Sequence, residues 1–450
     1  MKNNKALIIA GIILLNILVV FMIGQSLMGK TSKYEKALTE ARSLASQELC
    51  SKAITKYNEV IQIKDTIDVR LEMVDVYEKG IDIGEFTNTY DIITTVTAIV
   101  DAYRQEPRAY EEACSLFMKY GKYEECADIL MQARDLQVTS EKIEEYRLQV
   151  RYQYTKFFSM YTEVLPVFNG MYTVKTGDVY TFLNDEAAPD LNATFIAASS
   201  FSEGYAVVKS AHPDGTDRNI IINKAGERQA YLSEVETSSG VGRAKDAEGN
   251  DVLLLAGKVG EKYKYYGIDG KEVFGDYAFA GRFRNNVAAV MVSEGNWQLI
   301  NGAGKPITDT KFSDVVLNEF DECAAKGFII AKVGEKYHIY NLKAEQIGNF
   351  SCDGAKAFVD EYAAFKSGDQ WGFVDTQGNI IIQPQYEDAK SFSNSMGAVK
   401  SGEGWLFISP QNEIVIQETF EDVDYLNDKG ICFVKFDGYW SYLQMYYTGK

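Results

Sequence analysis

WGFVDTQGNIIIQPQYEDAKSFSNSMGAVK, residues 371–400, carries a pattern that decides how the whole chain is read. A short apolar strand, Trp371 to Asp375, runs into a turn at Thr376-Gln377-Gly378-Asn379. A β-branched strand, Ile380 to Ile382, follows and stops at Pro384. A segment centred on Tyr386, a turn at Phe392-Ser393-Asn394-Ser395 and a strand ending in Ala398-Val399-Lys400 complete the unit. Apolar and β-branched runs separated by Asx, Gly and Pro turns are the signature of antiparallel strands.

Moving outward, the five-residue strand recurs. Copies begin at Tyr180, Asn219, Tyr265, Trp297, Tyr337, Trp371, Trp405 and Trp440, at intervals of 39, 46, 32, 40, 34, 34 and 35 residues. Asp, Asn or Ser closes nearly every copy, as at Asp269, Asn301, Asn341 and Asp375, often with Gly a few residues on. Asx side chains favour turns by bonding nearby backbone, and Gly supplies positive φ. A second piece, Phe201-Ser-Glu-Gly-Tyr-Ala-Val-Val208, returns at Phe283 and at Phe392 in the same order.

A three- or four-stranded meander of about 35 residues buries one face and is not stable alone, so neighbouring units must stack. The aromatic side chains Tyr180, Tyr265, Trp297, Tyr337, Trp371, Trp405 and Trp440 are therefore expected to be structural anchors, each filling the space between one unit and the next. Residues 161–450 form this β domain. It resembles the WG repeat of bacterial proteins, most fully in the Trp371 unit with its Trp-Gly pair, Asp375, Gly378, Pro384, Tyr386 and Phe392. The Trp405 unit has Leu406 where Gly is usual, and the early units have lost the Trp. The resemblance implies a repetitive antiparallel β architecture and brings no catalytic residues with it.

Eight anchors give seven intervals. The expected fold is a β-propeller-like ring of about seven blades, closed by pairing the Trp440 strand with Gly170 to Lys175. Closure removes exposed sheet edges. An open β superhelix is the alternative, because a four-stranded blade usually takes about 40–45 residues.

Residues 31–160 read as helical, with apolar and small residues at three- and four-residue steps, such as Ala53, Tyr57, Val60 and Ile61. Gly121-Lys-Tyr123-Glu-Glu-Cys126, with Leu130 and Ala133, resembles a tetratricopeptide helix-turn-helix, and looser copies start near residues 48 and 84. The spacings of 36 and 37 lie near the period of about 34 in that family. The alternative is a plain antiparallel helical bundle. A last helix over 139–160 is expected to cap the stack. Cys114 and Cys126 fall where paired helices would touch and read as small core residues, a disulfide being the other option.

Residues 6–24, within the leader 1–30, hold 19 residues with no charge and one polar side chain, Asn16. At about 1.5 Å per residue this nearly spans a hydrocarbon core, which predicts an N-terminal transmembrane signal-anchor; a cleaved signal peptide is the alternative. The basic leader favours a single-pass protein in the cell membrane with its bulk outside the cytoplasm.

The formal charge of −18 is uneven: +3 on residues 1–30, −6 on 31–160 and hence −15 on the remainder. A head this acidic repels nucleic-acid phosphate, which excludes nucleic acid as a partner. Only His212 and His338 occur, far apart, which argues against a His-based metal site or nucleophile system. Six cysteines without a CxxC form no disulfide framework. Phosphate-loop, HExxH, GxSxG and EF-hand signatures are absent. Neither a cofactor nor a metal is expected.

The repeated Asp/Asn slot reads as turn chemistry, and the acidic pairs Asp360-Glu361 and Glu421-Asp422 as solvated loops. The sequence therefore predicts a membrane-anchored, non-catalytic scaffold that binds a protein or cell-envelope partner through its two repeat regions. The alternative is an envelope glycan hydrolase with carboxylates in the β head, recognisable by two carboxylates converging in a concave site.

Overall fold

The computed structural model describes residues 31–168, 170–211 and 217–446. The expected anchor at 6–24 and His212 lie outside these residues. Among the described residues no helix is long and apolar enough to cross a membrane. The chain divides into two compact units between Arg151 and Tyr152.

Seven helices make up the described part of the first unit. After residues 31–46 come Cys50–Ile63, Ile67–Asp82, Tyr90–Ala102, Pro107–Lys119, Tyr123–Asp135 and Glu141–Val150. Thr66 and Ser140 cap two of them by accepting from Val69 N and Ile143 N, and Pro107 opens another. Glu48, Gly84 and Gly121, the residues from which the repeat spacing was read, all adopt positive φ (61°, 77° and 66°) between successive helices. Each ends one helix and turns the chain into the next. The small and apolar residues Ala53, Tyr57 and Val60 are buried, and Cys114 and Cys126 are buried free thiols.

The second unit is a β-propeller of eight blades. Blades 1 to 7 are the sheets within Glu163–Phe195, Ala197–Tyr231, Thr237–Tyr277, Phe279–Ile300, Asp314–Asn341, Gly354–Tyr386 and Asp388–Phe420. Blade 8 takes its first three strands from Asp422–Met445 and its outer strand from Tyr154–Tyr161. All pairings are antiparallel.

The expectation of seven blades is therefore corrected to eight, and the open superhelix gives way to a closed ring. Met171–Thr176 has no free edge for the Trp440 strand, because it already pairs with Glu163–Phe168 and Val179–Asn184. The outer partner of Tyr439–Met445 is instead Tyr154–Tyr161, with Tyr154 opposite Met445 and Phe157 opposite Tyr442. The helix expected over 139–160 thus ends at Val150. The aromatic run Tyr154-Thr-Lys-Phe-Phe-Ser-Met-Tyr161 gains more by pairing and packing in a sheet than from weak helix propensity.

Units of about 35 residues suffice because the first strands of blades 2, 4, 5, 6 and 8 have two residues each. Every junction carries its own apolar cluster, from Phe182 with Phe201 between blades 1 and 2 round to Tyr172 with Phe433 between blades 8 and 1. At several junctions a Phe of the second repeated piece wedges against the blade before it. Phe201 meets Phe182 at 4.7 Å, Phe283 meets Tyr265 at 5.0 Å, and Phe392 meets Phe373 at 4.8 Å. All six rings are buried.

Candidate binding cleft

The anchors sit on the third strand of each blade. Tyr265 and Trp405 are buried, whereas Tyr180, Trp297, Tyr337, Trp371 and Trp440 are half-buried. Trp405 packs across the junction of blades 7 and 8 with Val423 and Leu443. Trp371 lies beside the cluster of blades 6 and 7, whose centre is Phe373 against Phe392. Lysine ammonium groups cover four of the rings: Lys175 over Tyr180, Lys332 over Tyr337, Lys356 over Trp371 and Lys390 over Trp405, at 5.1–5.4 Å. The Gly of the Trp-Gly pair has a steric reason, since a Cβ on Gly372 would come within 2.5 Å of the Ile382 carbonyl oxygen.

The Asp/Asn slot is spent on turns. Asp375 Oδ1 accepts from Gln377 N and Asn379 N at 2.9 and 2.8 Å. Asn301 Oδ1 accepts from Ala303 N and Lys305 N, and Asn341 Oδ1 from Lys343 N and Glu345 N. Asp269 Oδ1 accepts from Lys271 N, and Ser409 takes the same role in blade 7. His338 lies on a strand with Nδ1 3.0 Å from the Phe350 carbonyl oxygen. Asp360 accepts from Asn394 N, and Glu421 from Gly438 N.

The longest repeat interval, 46 residues between Asn219 and Tyr265, has a distinct structural outcome. Blade 3 opens with two strands of nine residues each, Thr237–Lys245 and Asp251–Val259, joined by a hairpin tip at 246–250. Insertions into repeats fall on loops, often on the binding face. This hairpin lines a cleft of about 360 Å³ together with Glu203 of blade 2, Arg284, Asn285 and Asn286 of blade 4, and Leu342 of blade 5.

Glu203, Asn285 and Asn286 are turn residues of the second repeated piece, held at φ of 52°, 52° and 63°. Short polar side chains at paired left-handed positions make the tight turn that joins first and second strands. Asn286 Oδ1 accepts from Lys245 N at 2.8 Å, and Asn285 Nδ2 donates to the Ala324 carbonyl at 2.8 Å, which ties three blades around the cleft. Glu203 Oε2 accepts from Arg243 Nε at 2.9 Å and lies 2.8 Å from its Nη2. Arg243 Nη1 is 3.6 Å from Asp251, Lys245 Nζ is 3.1 Å from Asp251, and Arg284 Nη1 is 3.7 Å from Glu203.

Hydrogen bonding to Glu203 raises the Arg243 guanidinium further above its usual range, and Lys245 holds the Asp251 carboxyl below its own. Arg243 and Asp251 are thus both charged at neutral pH. Glu203 and Asp251 lay inside the reach of the sequence, but nothing in composition singled them out; the 46-residue interval was the available signal.

Two residues before Arg284 in the chain, Arg282 is buried completely with Glu322, its Nε 3.1 Å from Oε1. Arg282 Nη1 also donates to the Ser239 carbonyl at 3.3 Å, and its guanidinium lies over Phe320 at 4.9 Å. Burial lowers the Arg282 pKa and raises that of Glu322. In the first unit, Asp75, Glu78 and Glu112 bring carboxylates within 4.8 Å of one another, with Lys119 2.7 Å from Glu78.

Two stretches of the chain, residues 371–405 and 407–440, match the WG containing repeat. The first stretch begins on the third strand of blade 6 and ends on the third strand of blade 7. A WG unit is therefore offset from the blade and staples two blades together, which is why eight anchors produce eight blades. No curated protein matches the sequence. Among solved structures, BamB from Moraxella catarrhalis aligns with a TM-score of 0.42 and 11% identity over 65% of this chain and 100% of its own. PorZ, a surface component of the type-IX secretion system of Porphyromonas gingivalis, aligns at 0.30 and 12% identity over 62% of this chain and 42% of its own. The Pan2 WD40 domain of Neurospora crassa aligns at 0.32 and 9% identity over 63% and 88%.

Proposed function

We propose that this protein is a membrane-tethered interaction scaffold, held by residues 6–24 in the cell membrane with its bulk outside the cytoplasm, whose propeller docks a protein partner at the cleft of blades 2 to 5. The observation that carries this reading is the elongated blade 3 hairpin. It is a departure from an otherwise economical repeat, and it builds a concave, charged surface.

The hydrolase alternative has two cleft carboxylates in its favour, Glu203 and Asp251. Both, however, are ion-paired to arginine or lysine, and the Asp251 pKa is lowered. A glycosidic general acid needs a carboxyl that keeps its proton near neutral pH. The paired arrangement supports binding rather than proton transfer.

The test immobilises the whole chain in detergent and compares capture from solubilised membranes by the native protein and by Arg243→Ala with Arg284→Ala. The reading expects a discrete partner retained by the native chain and lost from the double variant. Equal capture by both would remove the cleft from the function.

A further inference from the structure

The docking reading leaves the chemistry of the docked group to be found, and the exposure of the lining supplies it. Glu203 is the most sheltered charged side chain of the cleft, 15% exposed, and is paired with both arginines. Arg243, Arg284 and Lys245 are 53%, 37% and 56% exposed, against one open acid, Asp251, at 56%. Among the open residues of the lining itself, solvent therefore meets three cations and one carboxylate, on a domain whose overall charge is strongly negative.

The contacts are graded in the same sense. Glu203 engages Arg243 at hydrogen-bond length through Nε and Nη2, on one side of the guanidinium. The outer nitrogen, Nη1, stands 3.6 Å from Asp251, beyond the 2.7–3.2 Å of a good N–H···O bond. Asp251 itself is drawn to Lys245 at 3.1 Å. A guanidinium oriented by one carboxylate with its outer edge in long contact is a preformed receiver for a second carboxylate.

We propose, resting on the docking reading above, that the cleft takes a single carboxylate side chain presented by a partner protein, with Arg243 as the principal contact and Lys245 and Arg284 flanking it. A run of acids is disfavoured, because the hairpin tip that joins Lys245 to Asp251 carries two further acids, Asp246 and Glu248. Leu342 and Ala244 supply the apolar wall for the methylene stem of the entering residue.

The experiment uses fluorescence anisotropy of the whole chain in detergent with three labelled, end-capped tetrapeptides that differ only in a central Glu, Gln or Lys. The Glu peptide is expected to bind at least about tenfold more tightly than the Gln peptide, a difference of about 1.4 kcal/mol, and to weaken as salt rises. Arg243→Gln abolishes that preference while Arg228→Gln, on the outer strand of blade 2, retains it. Should Arg243→Gln lower the thermal midpoint, Lys245→Gln, an exposed position, is read in its place and weakens the Glu peptide by several-fold. Equal binding of Glu and Gln peptides, or tighter binding of the Lys peptide, overturns the proposal. Tighter binding of a peptide with three glutamates overturns the single-carboxylate form of it. Loss of Glu preference with partner capture still dependent on Arg243 and Arg284 would discard the carboxylate and keep the docking site.

Discussion

The Tyr425 hydroxyl donates to Glu319 Oε1 at 2.9 Å, joining blade 8 to blade 5. Both residues lie in the segments that follow the first strands of their blades, Asp314–Val315 and Asp422–Val423. The bond links parts of the ring that share no apolar junction. Removing either partner should cost about 0.5–1.5 kcal/mol. In a double-mutant cycle of Tyr425→Phe and Glu319→Gln, a coupling of about that size is expected, and additivity would mean that the two do not interact.

Beside Tyr425, Asp424 is buried and its Oδ2 has no hydrogen-bond partner among the described residues. Desolvation is the main cause that pushes its pKa up to about 7 from the ordinary 3.8; Lys390 opposes the shift, and Glu319 and Asp422 add to it. The folded state then binds more protons than the unfolded chain between those values, so this residue's contribution to stability falls as pH rises through about 4 to 7. The loss is complete above about pH 7 and amounts to at most about 4 kcal/mol. Chemical denaturation of the native chain and of Asp424→Asn from pH 5 to 8 should show the variant gaining relative to native as pH rises. Parallel pH profiles would contradict the buried, protonated carboxyl.

The Arg282–Glu322 pair makes a third test. Both side chains are buried, and Asn318 supports Glu322 by donating to Oε2 at 3.1 Å. Glu322→Ala leaves a buried guanidinium without its counter-charge and should cost about 3–5 kcal/mol. Arg282→Met with Glu322→Leu should recover most of that loss. A single variant as stable as the native chain would mean that water reaches Arg282.

Ring closure predicts different fates for two truncations. A chain beginning at Tyr152 keeps the outer strand of blade 8 and should remain folded and soluble. One beginning at Thr162 exposes the edge of Tyr439–Met445 and should aggregate or unfold at lower temperature. Equal thermal midpoints by circular dichroism would contradict closure by Tyr154–Tyr161.

The legible parts of this fold were those that repeat. The third strand, its Asx turn and the Phe piece are short-range patterns, and the structure uses Asp375 and Phe392 as that pattern suggests. The helix boundaries near residues 48, 84 and 121 were visible in the helical spacing for the same reason, though not the left-handed backbone that makes them. Closure was hidden because Tyr154–Tyr161 precedes the first unit, carries no turn signal and follows directly on a helix. Its identity as a strand depends on a partner almost 300 residues away, opposite Tyr439–Met445. The cleft was hidden because its charges come from units that have lost the tryptophan, and a period exposes only what recurs. A departure from the period, the 46-residue interval, was the trace it left.

The docking claim is tested most directly by site-specific photocrosslinking in cells, with a photoreactive residue at Leu342 in the cleft wall or at the exposed Tyr439 of blade 8. The account predicts a discrete crosslinked partner from Leu342, reduced several-fold by Arg243→Gln, and no such band from Tyr439. A partner captured equally from both positions, or from Tyr439 alone, would contradict it.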